Sequence, residues 1–281
     1  MYKQSKCARD ILSLQDSEGK WGYFHTHYAD NPTPYTTEGA LRRLEVLGYT
    51  MEDDCIQRAV TYMSDCLSGV KQIPDKAEKN VDWSVFVSLM LAARIRRFTK
   101  DNPAANATAQ AWANIVTRAF ATQAYDDHAY QQAYREAFGS LPRGGRLLDL
   151  SQFYIISVIN GYLDEKTEKS LLTYVIDKPD GIYYTYENHI GTLPRDFAGR
   201  DASRYLGCIE LLAEYPHAKH ELQFVAHWLK QNQNASGGWD MGACAKDGVY
   251  FPLSDNWRTA ALREADCTYR ISRLLSRLLL P

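Results

Sequence analysis

The chain has 281 residues, 45% hydrophobic and 23% charged, with a formal net charge of -2. That length supports a substantial core, and the charge supplies no basic excess to neutralise nucleic-acid phosphates or to hold the chain on an anionic membrane. No segment reaches the roughly 18 consecutive apolar residues of a membrane span.

At the N-terminus, Ile11, Leu12 and Leu14 form a short apolar run broken by Asp10, Asp16 and Glu18, unlike the apolar stretch of a secretory leader. A cytoplasmic location is expected. Segment 37–48 has intermediate polarity. Residues 50–67 carry Ile56, Ala59, Val60, Met63 and Leu67 at helical spacing, with Thr50, Asp53 and Asp54 opening the helix and Gly69 closing it. The next element, from Trp83 to Ala92, is apolar almost all round and so is expected to be buried on every side. A half-exposed helix is predicted after Asn102-Pro103, with Trp112, Ile115, Val116 and Ala119 on one face, and residues 127–138 supply a further helical segment. Leu147 to Ile159 is again mostly apolar. Half-exposed helices follow Asp164 (Leu171, Leu172, Val175) and Pro216 (Ala218, Leu222, Val225, Leu229), and segments 199–213 and 258–280 are intermediate.

Half-exposed and buried helices thus alternate, as two concentric rings of helices require. The half-exposed helices end with a period of roughly 55 residues, the mark of a repeat. Ile182 to Tyr186 is the one short strand candidate. The expectation is an all-α chain, residues 1–281 forming one α/α toroid of about five to six helical hairpins. The six cysteines show no CxxC pair, and Cys55 and Cys66, about 16 Å apart on one helix, cannot bond to each other; reduced thiols are expected.

The clearest internal match sets Gln15-Asp16-Ser17-Glu18-Gly19-Lys20-Trp21 beside Gln233-Asn234-Ala235-Ser236-Gly237-Gly238-Trp239, both Q-x-x-x-G-x-W. Each follows a predicted outer helix, where glycine permits the left-handed turn, glutamine satisfies backbone groups and tryptophan packs back over the turn. Asp177 to Tyr183 is a weaker copy, with Asp for Gln and Tyr for Trp. In these turns, and in the helix-ending pair Trp228-Leu229, the chain resembles the terpenoid cyclase and protein prenyltransferase superfamily, whose toroids carry a QW motif of this spacing. The resemblance implies the toroid and a central cavity that takes a small molecule. The D-x-D-D run of protonating cyclases and the D-D-x-x-D metal-binding run are both absent, Glu52-Asp53-Asp54 being the nearest string. The same turn occurs in some α/α-barrel carbohydrate lyases and hydrolases.

In such a toroid the inner helices gather their positive N-termini at one mouth, where an anion would bind. Thr36, Thr37 and Glu38, Asp82 beside Trp83, Arg146, Arg200 and Arg204, and Asp255-Asn256-Trp257-Arg258 fall at these starts. Asp82 reads first as a helix N-cap and second as a catalytic acid. Glu264 and Asp266 lie about 200° apart around one helix, so one of them looks inward, where a carboxyl serves as acid or base. Asp266, Asp82 and Glu264 are therefore the candidate catalytic residues. Arg143, Arg146, Arg204 and Arg258 are candidates for holding an anion, Arg270 being a further inner arginine. Trp83, Tyr184, Tyr250 and Trp257 are candidate aromatic contacts for a carbocation or a sugar. His25-x-His27 and the adjacent Asp266-Cys267 leave a zinc site without a third ligand, so no metal and no cofactor is expected.

The resulting expectation is an enzyme of the terpenoid cyclase-like class, acting by acid–base chemistry on a small, partly apolar, anionic, isoprenoid-like substrate. An uronate lyase or hydrolase, with Tyr or His as base, and a toroid that only binds a ligand or partner are the alternatives.

Overall fold

The computed structural model describes residues 2–139 and 147–279. Among them are twelve α-helices and no strand ladder, so the chain is all-α. The strand candidate is a tight turn closed by a lone bridge between Ile182 and Tyr186. Among the described residues no helix is long and apolar enough to cross a membrane. All six cysteines are unpaired.

The chain divides into two compact units, residues 1–112 with 134–148, and residues 113–133 with 149–281. The first contains α1 (Lys6–Leu12), α2 (Thr37–Val46), α3 (Asp54–Leu67) and α4 (Trp83–Phe98), together with the first part of α5 (Pro103–Ala119) and the last part of α6 (Asp127–Phe138). Helix α3 packs on α4, and α1 on α2. Side chains fix the helix starts: Ser5 accepts from Ala8 N, Thr36 from Gly39 N and Asp82 from Val85 N. Helix α3 departs from expectation. Asp53 occupies its N-cap but makes no cap bond; its carboxylate instead accepts from Thr50 N at 2.8 Å and pairs with Lys3 at 2.7 Å. Helix α4 buries Phe86, Leu89, Met90, Leu91, Ala92, Ala93 and Ile95, as an almost wholly apolar helix should, but it buries Arg94 and Arg96 as well.

The second unit holds α7 (Phe153–Val158), α8 (Glu165–Asp177), α9 (Arg200–Leu212), α10 (Ala218–Glu221), α11 (Gln223–Gln231) and α12 (Ala260–Leu278). Helix α10 packs against α8 and α12, α11 against α12, and α7 against α9. Helix α7 is much shorter than the apolar run 147–159, and the single helix expected after Pro216 breaks at Leu222. In α12, Leu262 and Ala265 face solvent, and the buried face begins at Asp266 and runs on through Ile271.

The two Q-x-x-x-G-x-W turns have one geometry. Gln15 Nε2 donates to Gly19 O at 2.9 Å, and Gln233 Nε2 to Gly237 O at 3.0 Å. The indole of Trp21 donates to Ile11 O, and that of Trp239 to Leu229 O, both at 2.7 Å. In both turns the tryptophan N–H meets a threonine hydroxyl, Thr37 or Thr268, at 2.9 Å. The weaker copy does not share this arrangement: Trp21 and Trp239 are buried, whereas Tyr183 is exposed.

Candidate functional site

In the first unit, residues far apart in sequence build a buried ionic relay. Glu38 sits in the first turn of α2, where the helix dipole favours a carboxylate. Its Oε2 lies 2.8 Å from His25 Nδ1, and its Oε1 accepts Arg94 Nε at 2.9 Å and also the Arg94 terminal nitrogen. Only 13% of the His25 and Glu38 side chains and 4% of that of Arg94 is exposed. Burial alone would raise the Glu38 pKa, but the Arg94 charge and the His25 contact outweigh it and hold the carboxyl well below the usual range. Burial pulls the His25 pKa down, yet the hydrogen bond and charge of Glu38, with Glu78 and Asp75 adding charge, lift it above its ordinary 6.5.

The segment carrying His25 is clamped. Asp75, itself buried, accepts Phe24 N at 2.6 Å, His25 N at 2.9 Å and Thr26 N at 2.8 Å. Three amides on one carboxylate fix the backbone that carries the imidazole. The ring lies edge-on to Phe86 at 5.6 Å, and Phe86 is 5.9 Å from Trp83. Of the expected site residues, Trp83 thus packs on the same phenylalanine as the imidazole. Asp82 caps α4, receiving Ser84 Oγ at 2.8 Å and Val85 N at 3.3 Å. Near Asp82 lies the buried Tyr134, whose hydroxyl has no hydrogen-bond partner among the described residues and whose pKa is pushed up to about 12 by burial and by that acid.

The second unit turns several other candidates into bracing. Asp266 is 1% exposed, and its Oδ2 accepts Leu253 N, Ser254 N, Ser254 Oγ and Trp257 Nε1 at 2.8–3.1 Å. The carboxylate ties the segment 253–257 to α12, and Trp257 is consumed in the same knot. Glu264, on the other side of the helix, accepts Ser236 Oγ at 2.7 Å beside the second tryptophan turn. Tyr250 is buried, donates to Glu210 Oε1 at 3.0 Å and stacks beneath the Arg270 guanidinium at 3.7 Å; Arg270 Nη1 donates to Val249 O at 2.6 Å. Arg204 is exposed, 3.7 Å from Asp247, and Arg258 is exposed before α12. Tyr184 is exposed on the turn with Tyr183. Arg143 and Arg146 lie outside the described residues.

A wide cleft of about 1290 Å³ also opens in this unit, between Phe120, Tyr125 and one face of α8 (Lys166, Lys169, Tyr174), and none of the expected site residues lines it. Among the described residues no group of three His, Cys, Asp or Glu side chains is placed to hold a metal ion.

The sequence reading missed Arg94 and Asp75. Arg94 left a signal, since a guanidinium that directly follows the mostly apolar run 85–93 calls for an acid partner once it is buried; Asp75 left none, its role arising only when the loop at 24–26 folds onto it. Compared with protein-family models, curated proteins and solved structures, the chain matches none of them. The relay therefore stands on its geometry alone.

Proposed function

We propose that the chain is an enzyme of the terpenoid cyclase-like α/α-toroid class that works by acid–base chemistry, with His25 as the proton carrier. The observation that carries the reading is the buried His25–Glu38–Arg94 relay on a backbone clamped by Asp75. With Nδ1–H donated to the ionised Glu38, the basic lone pair of the neutral imidazole is at Nε2. A substrate proton taken there makes an imidazolium that Glu38 stabilises, while Arg94 keeps Glu38 ionised; the reverse transfer returns the proton to product. Phe86 beside the ring, with Trp83 packed on Phe86, suits a small, partly apolar, isoprenoid-like substrate. The matching geometry of the two tryptophan turns supports the toroid. This reading moves the acid–base role from Asp266, whose carboxylate is saturated by structural donors, to His25.

One observation favours a non-catalytic toroid instead. In the second unit Glu210 and Arg270 form another buried acid–guanidinium pair, with a tyrosine rather than a histidine against it. Both pairs would then only brace the helices.

The test begins with a thermal-shift screen of isoprenoid diphosphates and uronate oligosaccharides, since a ligand bound only by the folded state raises Tm. Turnover of the ligands found is then followed by product analysis in the wild type and in His25→Gln. Turnover lost by at least about a hundredfold in a His25→Gln variant of near-native Tm supports the reading. Turnover unchanged in that variant overturns it, and ligand binding without turnover favours the non-catalytic alternative.

A further inference from the structure

The cleft of the second unit runs along one face of α8, and the charges on that face stand the wrong way round for a helix. Lys166, Ser170, Thr173 and Asp177 all line it. At about 100° per residue these four fall within an arc of about 60°, spread over three turns and about 16 Å of helix. Lys166 sits in the first turn of α8, at the positive end of the helix dipole, and Asp177 is the last residue, at the negative end. Each charge therefore opposes the dipole. Among the described residues neither makes an ion pair that would offset this.

The other charges of the cleft are already committed. Glu165 pairs with Lys169 at 2.6 Å, Lys178 pairs with Asp149 at 2.5 Å, and Asp164 caps α8 by accepting Thr167 N at 3.0 Å and Thr167 Oγ1 at 2.9 Å. Between the two ends lies an aromatic floor. Tyr125 stacks on Tyr174 with centroids 4.7 Å apart, and the buried Phe120 meets Tyr174 in a T-shaped contact at 5.6 Å. The turn that carries Tyr125 is held by Gln123 N on Phe120 O at 2.8 Å and Asp126 N on Ala119 O at 2.9 Å. The hydroxyls of Ser170, Thr173 and Tyr174 and the side-chain amide of Gln123 also line the cleft, and none of them bonds to a described residue.

We infer that this cleft takes an extended peptide segment of about five residues, with an acidic residue at the Lys166 end, a basic residue at the Asp177 end and an apolar side chain between them. Five residues at about 3.3 Å each match the separation of the two charges along α8. Opposite charges at the two ends of the segment would pair the two left over in the cleft. Hydroxyl and amide groups both donate and accept, as the alternating N–H and C=O of a peptide backbone require. The volume of about 1290 Å³ exceeds the roughly 300–1,000 Å³ of a small-molecule pocket. A polyanion is disfavoured, because Asp164, Glu165 and Asp177 balance Lys166, Lys169 and Lys178 around the cleft. A second copy docked through the same face would set concavity against concavity and leave the cleft unfilled. The inference is independent of the relay at His25.

Four sets of acetylated, amidated pentapeptides test it on the full chain by calorimetry, all with leucine, phenylalanine or tyrosine in the centre and alanine or serine on either side. Their end residues are glutamate then lysine, lysine then glutamate, two lysines, or two glutamates. Opposite-charge peptides, in at least one backbone direction, should bind at least about fivefold more tightly than like-charge ones. Lys166→Glu should shift the preference to the two-lysine set and Asp177→Lys to the two-glutamate set, whichever way the backbone runs. Where a charge reversal lowers Tm, the milder variants carry the test: Lys166→Gln should bind the two-lysine set, and Asp177→Asn the two-glutamate set, as tightly as the opposite-charge peptides. No peptide bound at millimolar concentration, equal binding of like-charge and opposite-charge sets, or a preference that ignores these substitutions would overturn the inference. So would a concentration-dependent dimer in sedimentation that Asp177→Lys dissociates, since it assigns the face to a second copy.

Discussion

Glu38 Oε2 and His25 Nδ1 lie 2.8 Å apart across thirteen residues of sequence, and the carboxylate raises the imidazole's proton affinity although burial opposes it. The pair has a definite pH signature. His25 has a folded pKa above 6.5, so its contribution to stability is complete below about pH 6.5 and is lost as pH rises through the folded value. Glu38 has a folded pKa below 4.5, so its contribution is present above about pH 4.5 and is lost as pH falls toward its folded value. The relay therefore stabilises the fold most between these limits. In an NMR titration of the His25 ring the midpoint should exceed 6.5, and in Glu38→Gln it should fall below 6.5, because burial then acts with little opposition. A midpoint that does not move in Glu38→Gln would refute the coupling.

Arg94→Leu should strip the buried Glu38 carboxylate of its guanidinium partner. Breaking one partner of a buried pair costs about 3–5 kcal/mol, which urea unfolding at pH 7 would read as a lower midpoint with an unchanged slope. The double variant Arg94→Leu with Glu38→Met should recover part of this loss, since an apolar pair removes the unpaired charge along with its partner. A single variant as stable as the wild type would show that the pair braces nothing.

Asp266→Asn should act on the fold rather than on chemistry. The amide retains one acceptor oxygen and turns an NH₂ toward some of the donors from Leu253, Ser254 and Trp257. A loss of about 2–4 kcal/mol is expected, with faster hydrogen exchange at the amides of Leu253 and Ser254. A fully stable variant that had lost turnover would instead return the acid role to Asp266.

The two tryptophan turns should respond unequally to the same substitution. Gly19 has φ +95°, and a Cβ on it would stand 2.6 Å from Arg58 O, whereas Gly237 has φ +80° with open space around it. Gly19→Ala should cost about 1–2 kcal/mol for the left-handed backbone and about 1–3 kcal/mol more for the clash. Gly237→Ala should cost only the first part. Thermal unfolding of the two variants side by side measures the difference, and equal losses would mean that the turn at Gly19 shifts freely away from α3.

Helix type and the repeated turn were written in local patterns, and those the sequence determined by itself. Spacing of apolar residues marked the half-exposed helices, the continuous apolar run marked α4, and glycine four residues after a glutamine marked both Q-x-x-x-G-x-W turns, since each depends on neighbours a few positions away. The N-cap role of Asp82 was legible for the same reason. What only the tertiary structure decided was which polar groups meet. Glu38 and His25 were both visible, but their partnership needs α4 to bring Arg94 and a distant loop to bring Asp75. Asp266 stood out as an acid on a core-bound helix, and only the fold supplied the donors that tie it to the segment 253–257. Hydrogen bonds act over about 3 Å and are indifferent to sequence separation, so a side chain's chemistry can be named from the chain alone while its partner waits for the packing.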